Sequence, residues 1–222
     1  MTKVDSDNKK TDISLKFMNT KSIFSSNPPG VAEKLASKRI FIAGAGGLGS
    51  NIAVMLVRAG AENLAICDFD SVSETNLNRQ NFFLDQVGQM KVNALKDNLL
   101  KINPNIKVEP VKAKLSIANF AKIITDPVDI VFECFDDAIA KSEVFSYCIR
   151  ERPTTPLVMV SGLAGIGSSE EIKIKKIKSN VWLVGDGETE ANPANGTLSS
   201  RVMLVASMQA HLGIRILLGL EN

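Results

Sequence analysis

The segment GAGGLGS, residues 44–50, decides the fold because it lies between a short apolar run and a stretch rich in Ala, Val and Leu. Arg39 to Ala43 predicts a buried strand, and Gly47 to Ala59 predicts a helix of small and apolar residues. Glycines let the backbone turn tightly and approach a phosphate or ribose, and the start of a helix offers free N–H groups. The segment therefore predicts a strand, a loop and a helix that together bind a nucleotide.

Strand and helix patterns alternate beyond this segment. A second apolar run completes a βαβ unit, and Val92, Leu95, Leu99 and Ile102 recur at helical spacing. This order predicts an α/β fold: a Rossmann-like, doubly wound, mostly parallel sheet with helices on both faces. The remaining predicted strands of the parallel part are Asn63–Asp68, Ile106–Val111, Val128–Cys134 and Leu157–Ser161.

The pattern changes after Gly162. Glu171–Lys178 alternates charged residues with isoleucine, as in a half-exposed strand, and Val181–Val184 could pair with it. We expect an antiparallel hairpin at one edge of the sheet. Residues 185–200 are rich in turn formers and predict a long loop, followed by an apolar C-terminal helix from Arg201 to about Leu220.

The N-terminal part differs in composition. Residues 1 to about 20 are polar and rich in Lys, which predicts a mobile arm, and residues 31–35 predict a short helix after the turn formers at 27–30. We therefore divide the chain into an N-terminal arm with a short helix, residues 1–37, and a nucleotide-binding domain, residues 38–222.

Composition excludes several functional classes. The 222 residues have a net charge of +2, which gives no general electrostatic case for binding nucleic acid or a membrane surface. No apolar run reaches the length of a spanning helix, and the first residues lack the apolar core of a signal peptide. The three cysteines, Cys67, Cys134 and Cys148, lie in apolar runs without a CxxC pair, which favours a cytoplasmic protein with buried thiols.

Polar residues that follow the second strand distinguish two kinds of nucleotide. Asp68 ends this strand, where a carboxylate can accept hydrogen bonds from ribose hydroxyls of either NAD or ATP. The stretch NLNRQ, residues 76–80, and Lys91 follow it. A dehydrogenase has no use for Arg79 and Lys91 here, whereas a triphosphate needs cations. These residues favour ATP.

GAGGLGS, DFDSV and NLNRQ together resemble the nucleotide site of the ubiquitin-activating enzyme superfamily, whose bacterial members include ThiF and MoeB. The resemblance covers about residues 39–167, and NPPG at 27–30 and GDGE at 185–188 are similar to the short, zinc-free ThiF subfamily. It implies that a glycine loop and strand-end acids hold the nucleoside, and that polar and basic residues bind the phosphates. The corresponding residues are Gly44, Gly46, Gly47, Gly49, Asp68 and Asp70, and then Asn76, Arg79, Gln80 and Lys91.

The same resemblance implies the reaction and its partners. The chain is expected to use ATP and Mg²⁺ to adenylate the C-terminal carboxylate of a small ubiquitin-like sulfur-carrier protein, of the ThiS type used in thiamine biosynthesis. Asp136 matches the aspartate associated with Mg²⁺, although Asp136 or Asp137 could instead cap the helix expected at 138–151. A carboxylate needs no general base, so Arg79, Lys91 and Asp136 are the expected catalytic residues. Relatives generally form homodimers.

The sequence also departs from the family pattern. It lacks the two CxxC pairs that bind structural zinc in many relatives, so no zinc is expected. Residues 185–200 contain no cysteine, which argues against acyl transfer to this chain. No N-terminal motif supplies the arginine that several relatives contribute across a dimer interface, which leaves Lys21, Lys34 and Arg39 as candidates for that cation.

Alternative functions remain open at this stage. A nicotinamide-dependent oxidoreductase would explain the glycine loop and Asp68 but not residues 76–80. A non-catalytic nucleotide-binding adaptor would explain the missing arginine and cysteine. The acceptor could also be the molybdopterin carrier, a peptide C-terminus or a tRNA base. His211, the one histidine, is expected to be a packed or surface residue of the C-terminal helix rather than a catalytic one.

Overall fold

The computed structural model describes residues 20–221, in which a seven-stranded sheet has helices on both faces. The mobility predicted for residues 1 to about 20 falls almost wholly outside the described residues. The strands are β1 Arg39–Ala43, β2 Asn63–Asp68, β3 Lys107–Lys112, β4 Ile130–Glu133, β5 Leu157–Val160, β6 Lys173–Lys178 and β7 Val181–Gly185. Their order in the sheet is β3-β2-β1-β4-β5-β7-β6, and every neighbouring pair is parallel except β6 and β7. The helices are α1 Val31–Ala36, α2 Gly47–Ala59, α3 Lys91–Ile102, α4 Phe120–Ile123, α5 Ala138–Glu151 and α6 Ser199–Leu217.

The central strand β1 explains why the apolar runs are nearly continuous. Ile40 and Ile42 point to a core formed with α2, α3 and α6, whereas Phe41 and Ala43 point to a second core formed with α4 and α5. Because successive side chains of a strand alternate between faces, burial on both faces requires apolar residues at consecutive positions. The predicted Rossmann-like α/β fold is therefore confirmed.

The strand order reverses at β1. This strand pairs with β2 on one side and with β4 on the other, so the connections that follow β1 and β4 leave the sheet side by side. In open α/β sheets, a crevice forms at the carboxyl ends of the strands at such a point, and ligands bind there. The glycine loop follows β1 and Asp136 follows β4, so both lie at this crevice.

The predicted hairpin forms the far edge of the sheet. β6 is the outermost strand and is antiparallel to β7, which itself pairs with β5 in parallel. β6 begins at Lys173 rather than at Glu171 because Ser169–Glu171 forms a short 3-10 helix. All six residues of β6 are exposed, and four of them are lysines, which protects a free edge from pairing with other chains.

Residues before β1 pack on the domain. The Nδ2 of Asn27 donates to the carbonyl oxygens of Arg58 and Ala59 at 3.3 Å, and Leu35 of α1 is fully buried. These contacts tie the segment to the carboxyl end of α2. The short helix at 31–35 is confirmed, and the boundary at residue 38 stays a prediction.

Candidate nucleotide site

The glycine loop between β1 and α2 has a shape that requires glycine at two positions. Gly44 has a φ of +103°, and a Cβ there would lie 3.0 Å from the carbonyl oxygen of Cys134, which follows β4. A Cβ on Gly49 would overlap the carbonyl oxygen of Gly44. The loop can therefore fold tightly over the start of α2 and against the end of β4 only because both side chains are absent.

The amino end of α2 can accept a ligand. No side chain among the described residues caps this helix, so the N–H groups of its first turn are available to an anion. A Cβ on Gly46 would meet only the side-chain amide of Gln80, at 3.8 Å, which leaves space beside the backbone. The loop and the helix start therefore fit a phosphate group.

Asp68 holds the glycine loop to β2. Asp68 is only 7% exposed. One oxygen of its carboxylate accepts from the N–H of Ala45 at 2.7 Å, and the other accepts from the N–H of Asp70 at 2.8 Å. The carboxylate is thereby fixed at the strand end predicted for ribose binding. Its contact with a ribose stays a prediction, and the structure adds a role in shaping the loop.

Ser50 and Asn51 connect α2 to the NLNRQ segment, and the sequence analysis gave neither a role. The Oγ of Ser50 donates to the carbonyl oxygen of Gly46 at 2.6 Å and accepts from the N–H of Asn81 at 3.0 Å. The Nδ2 of Asn51 donates to the carbonyl oxygens of Gly47 and Arg79, at 2.6 and 3.0 Å. A Ser-Asn pair directly after the last glycine is the signal that could have indicated this connection.

The NLNRQ segment brings Arg79 and Gln80 to the glycine loop. Arg79 lies beside Gly47, with its Cγ 3.6 Å from the position a Cβ would take there. Its Nη1 donates to the carbonyl oxygen of Thr75 at 3.1 Å and to Asn78 at 2.8 Å, so part of the guanidinium remains for a ligand. The Oε1 of Gln80 is buried and has no partner within residues 20–221.

Asn76 shapes the turn that precedes Arg79. Its side-chain oxygen accepts from the N–H of Ser73 at 3.1 Å, and its carbonyl oxygen accepts from the N–H groups of Arg79 and Gln80. Its N–H also donates to the carbonyl oxygen of Ser73 at 2.9 Å, so all these bonds lie within the turn. Its phosphate contact stays a prediction, as does that of Gln80.

Lys91 and Asp70 form an ion pair at the carboxyl end of β2. The Nζ of Lys91 lies 2.9 Å from a carboxylate oxygen of Asp70, and the lysine side chain is 7% exposed whereas that of Asp70 is 49% exposed. The N–H of Lys91 also donates to the carbonyl oxygen of Asp70. The ammonium group is therefore held at the site by an acid on its solvent side, which a nucleotide phosphate could replace.

Two buried amides join the Arg79 segment to the helix that begins with Lys91. Gln86 and Asn98 exchange hydrogen bonds at 2.9 and 3.0 Å, and Asn98 also donates to the carbonyl oxygen of Asn81 at 2.9 Å. Both residues are at most 5% exposed. This network fixes the relative position of the two cations, and no pattern in the sequence analysis indicated it.

The two acids after β4 have different roles. The Oδ1 of Asp137 accepts from the N–H of Ala140 at 2.8 Å and caps α5. Asp136 is exposed and has no hydrogen bond or ion pair to another described residue. Asp137 thus takes the capping role, which leaves the carboxylate of Asp136 free to bind a cation near the glycine loop.

An ion pair between β4 and α5 holds the start of the loop that contains Asp136. Glu133 is fully buried at the end of β4 and accepts from the N–H of Phe135 at 2.7 Å. The Nζ of Lys141 lies 3.0 Å from the Glu133 carboxylate and also donates to the carbonyl oxygen of Val160. Burial raises the pKa of Glu133, and the charge and hydrogen bonds of Lys141 oppose that rise.

The structure corrects one interpretation of the basic residues. Arg39 begins β1, at the opposite end of the sheet from the glycine loop, and pairs with Glu109 at 3.1 Å and with Asp126. It therefore cannot reach phosphates bound at the glycine loop of the same chain. Lys34 lies on α1, which contacts the far end of α2, and the side chain of Lys21 is outside the described part of the chain. His211 is exposed on α6, in agreement with a surface role.

Two further findings concern metals and membranes. Among residues 20–221, no three His, Cys, Asp or Glu side chains are grouped in a way that could hold a metal ion by themselves. The helices in this range are all too short or too polar to cross a membrane. A cytoplasmic location stays a prediction.

The assembled site has a definite chemical capacity. An uncapped helix end and two cations, Arg79 and Lys91, lie at the carboxyl ends of β1 and β2, and Asp136 lies at the neighbouring end of β4. Positive groups on one side can neutralise a polyphosphate, and a single carboxylate can hold a divalent cation together with phosphate oxygens. This arrangement of cations and one free carboxylate fits a reaction in which an ionised nucleophile attacks a phosphate group.

Comparison with known proteins gives a family match and several similar proteins. A model of the ThiF family matches residues 18–222. The molybdopterin-synthase adenylyltransferase of Salmonella typhimurium is 30% identical over 193 residues, which cover 83% of this chain and 75% of that protein. The enzyme of the same name from Escherichia coli is 38% identical over 133 residues, 60% of this chain, and the match spans about half, 51%, of that protein.

A solved structure is similar in fold. The tRNA N6-threonylcarbamoyladenosine dehydratase TcdA of E. coli, in complex with ATP, superposes with a TM-score of 0.79 at 22% identity. The match covers 89% of this chain and 93% of that chain. At this identity, the comparison supports the Rossmann-like architecture described above and nothing finer.

Proposed function

The chain belongs to the ThiF family, and on this premise we propose that it uses ATP to adenylate the C-terminal carboxylate of a small ubiquitin-like sulfur-carrier protein. The observation that carries the proposal is that Arg79 lies beside Gly47 at the uncapped amino end of α2, with the Lys91–Asp70 pair after β2 and Asp136 after β4 at the neighbouring strand ends. The names of the similar adenylyltransferases support the same reaction.

The reaction follows from charge. An oxygen of the acceptor carboxylate attacks the α-phosphorus of ATP, the bond from that phosphorus to the bridging oxygen breaks, and pyrophosphate leaves. The carboxylate is already ionised at neutral pH, so no proton has to be removed. The main obstacle is repulsion between two anions, which preorganised positive groups reduce in the transition state.

Each residue has a distinct task in this proposal. The N–H groups at the start of α2 and the guanidinium of Arg79 bind the phosphates, and Lys91 exchanges Asp70 for a phosphate oxygen when ATP binds. Asp136 would hold Mg²⁺, which, when bound, supplies positive charge at the phosphate oxygens. Asp68 orients the ribose. Asp70 then serves as the resting partner of Lys91 rather than as a direct ligand of the nucleotide.

The acceptor is the least constrained part. The likeness of GDGE and NPPG to the short ThiF subfamily supports a ThiS-like carrier in thiamine biosynthesis, and we place that carrier first. The names of the similar adenylyltransferases favour a second candidate, the carrier of molybdopterin synthase. The docking surface proposed for either is the edge hairpin at 171–184 with the loop at 185–200, where β6 offers four exposed lysines.

A homodimer is part of the proposal. α6 is largely buried within the monomer, yet Met203, at its amino end, is 46% exposed and could contribute to an interface between copies. Sedimentation of the purified protein at several concentrations measures this directly. A protein that stays monomeric at all concentrations contradicts the proposed homodimer and leaves the proposed reaction unaffected.

Exchange of labelled pyrophosphate into ATP tests the reaction. The wild-type protein is expected to catalyse exchange only when a carrier is present, and the arms contain a ThiS-type carrier, the molybdopterin-synthase carrier, a peptide with a free C-terminus and tRNA. Arg79→Ala and Lys91→Ala should each lower the exchange rate by about 10²-fold, as expected for loss of one preorganised charge. His211→Ala is the control and should keep full activity, because His211 is exposed on α6 and has no role in the proposed reaction.

The outcomes separate the alternatives. Full exchange by Arg79→Ala and Lys91→Ala contradicts the assigned site. ATP binding without exchange in every arm indicates a nucleotide-binding adaptor, and binding of NADH without ATP indicates an oxidoreductase. Exchange in one arm only identifies the acceptor.

A further inference from the structure

Two loops at the carboxyl ends of β5 and β7 are joined into one structure. They comprise residues 161–168 and 186–198, and together we name them the acceptor rim. The N–H of Asp186 donates to the carbonyl oxygen of Gly162, and the N–H of Gly187 donates to that of Ser161. Further out, the N–H of Gly165 donates to the carbonyl oxygen of Gly196, next to an isolated bridge to Thr197.

Arg201 binds both loops from the first turn of α6. Its side chain is only 4% exposed. Its Nη1 donates to the carbonyl oxygens of Gly167 at 2.6 Å and Ser168 at 3.1 Å, and its Nη2 lies 2.7 Å from a carboxylate oxygen of Asp186. One buried guanidinium therefore fixes the end of the first loop and the start of the second.

Asp186 completes the connection. Its Oδ1 accepts from the N–H groups of Glu188 and Thr189 at 2.8 Å, and its Oδ2 accepts from the hydroxyl of Thr189 at 2.6 Å. The same hydroxyl accepts from the N–H of Ala164 at 3.0 Å, which returns to the first loop. We name Arg201 and Asp186, with Thr189, the clasp. It accounts for the GDGE motif, which the nucleotide site leaves without a role.

The clasp lies next to the nucleotide site, and the hydrogen bonds described for Arg201, Asp186 and Thr189 all go to other residues. Val202, the residue after Arg201, lies 3.0 Å from the position a Cβ would take on Gly47 at the start of α2. On the other side, the Nδ2 of Asn78 donates to the carbonyl oxygen of Thr197 at 3.3 Å. The acceptor rim thus borders the phosphate-binding residues, and Ile166 at its tip is 87% exposed.

We propose that the clasp positions the acceptor rim to receive the C-terminal segment of the adenylated protein, so that Arg201 and Asp186 are positioning residues for the acceptor and not for ATP. This inference rests on the proposed function. A buried ion pair stabilises a fold weakly compared with apolar residues of the same volume, because desolvation offsets its attraction. Directional bonds from one guanidinium to two loop carbonyls, however, fix a loop geometry that apolar packing cannot specify.

Arg201→Lys tests the role because it keeps the charge and removes the planar fork. In the exchange assay with the ThiS-type carrier, or with whichever carrier the wild-type protein accepts, its KM for the carrier should rise about tenfold. Its Kd for a non-hydrolysable ATP analogue should stay within about twofold. Arg39→Lys is the matched control, because Arg39 is also ion-paired but lies at the opposite end of the sheet, and it should leave both constants unchanged.

Thr189→Val provides a milder variant in case Arg201→Lys folds poorly. It keeps the shape of the side chain and removes the hydroxyl, and a smaller rise in the carrier KM is expected, with faster hydrogen exchange at residues 163–168 and 186–198. A purely structural clasp would lower the melting temperature of both variants without changing the carrier KM, and that result overturns the inference. If the wild-type protein exchanges pyrophosphate with no acceptor, the proposed function fails and the acceptor role fails with it.

Discussion

The glycine loop and the acceptor rim both lie at the carboxyl ends of the parallel strands, and both contain several glycines. They are nevertheless held in different ways. At Gly49 a Cβ would overlap a backbone oxygen, so the loop depends on the absence of a side chain. In the outer part of the rim, at Gly165, Gly187 and Gly196, a Cβ would have no atom within 4 Å. At Gly162 and Gly167 a Cβ would collide, but the nearest atom is a side-chain oxygen, of Asp186 and of Glu171 respectively. The rim is therefore fitted to side chains, chiefly those of Arg201 and Asp186. A loop that requires glycines can be recognised from the glycines in its sequence. A loop held by an Arg–Asp ion pair cannot, because Arg and Asp occur throughout protein sequences.

The largest effect is expected when a methyl group is added to the glycine loop, in comparison with the same addition to the acceptor rim. Gly49→Ala forces the start of α2 away from Gly44 and should cost about 3 kcal/mol or more of unfolding free energy, together with loss of ATP binding. Gly165→Ala has space for its Cβ but keeps a φ of +74°, so it should cost only about 1–2 kcal/mol. Urea unfolding of both variants measures the difference. Equal costs would contradict the contrast between the two loops.

This contrast explains what the sequence could predict. The Rossmann-like sheet followed from apolar runs, and GAGGLGS with NLNRQ indicated where the nucleotide site lies, because glycine geometry and burial dictate those residue types. The Ser50-Asn51 pair after the last glycine was a usable signal for the contacts with residues 79–81. Three other connections had no such pattern: Gln86 to Asn98, Glu133 to Lys141, and Arg201 to Asp186. Each depends on where distant side chains meet once the sheet has formed, which spacing along the chain does not determine.

The two acids after β4 offer the next largest effect. Asp136→Asn should lower pyrophosphate exchange about 100-fold and leave stability unchanged, because the carboxylate has no partner among the described residues. Asp137→Ala should instead cost about 1 kcal/mol of stability through loss of the α5 cap, with exchange nearly unchanged. Exchange rates and thermal unfolding of both variants measure this. The reverse assignment of effects would move the metal-binding role to Asp137.

A smaller effect is expected from the buried amides behind the nucleotide site. Asn98→Ala removes two side-chain hydrogen bonds of Gln86, which keeps those to Phe83 and Ala94, and also removes the bond to the carbonyl oxygen of Asn81. It should cost about 2 kcal/mol. Because those bonds fix Arg79 relative to Lys91, the KM for ATP should rise as well. Asn180→Ala is the matched control: Asn180 also bonds two loop carbonyls, those of Pro153 and Thr155, but at the amino end of β7. It should lower stability without changing the KM for ATP.

The smallest effect concerns the charge of the acceptor rim. Burial raises the pKa of Asp186, but hydrogen bonds from Thr189, Glu188 and Arg201 outweigh burial and hold this pKa below its ordinary value. The unfolded chain therefore takes up the proton at a higher pH than the folded protein. It follows that Asp186 stabilises the fold fully above its unfolded pKa, about 3.9, and loses that contribution as the pH falls through the folded value.

Unfolding free energies at about pH 5 and about pH 3 test this sign. The wild-type protein should lose more stability over that interval than Asp186→Asn, which cannot take up the proton. Thr189→Val should be intermediate, because it removes one of the hydrogen bonds to Asp186 but keeps the carboxylate and Arg201. Equal losses in all three proteins would mean that the clasp does not depend on an ionised Asp186. The geometry of the rim would then not depend on that charged side chain, and the contrast between a loop set by its glycines and a loop set by its side chains would disappear.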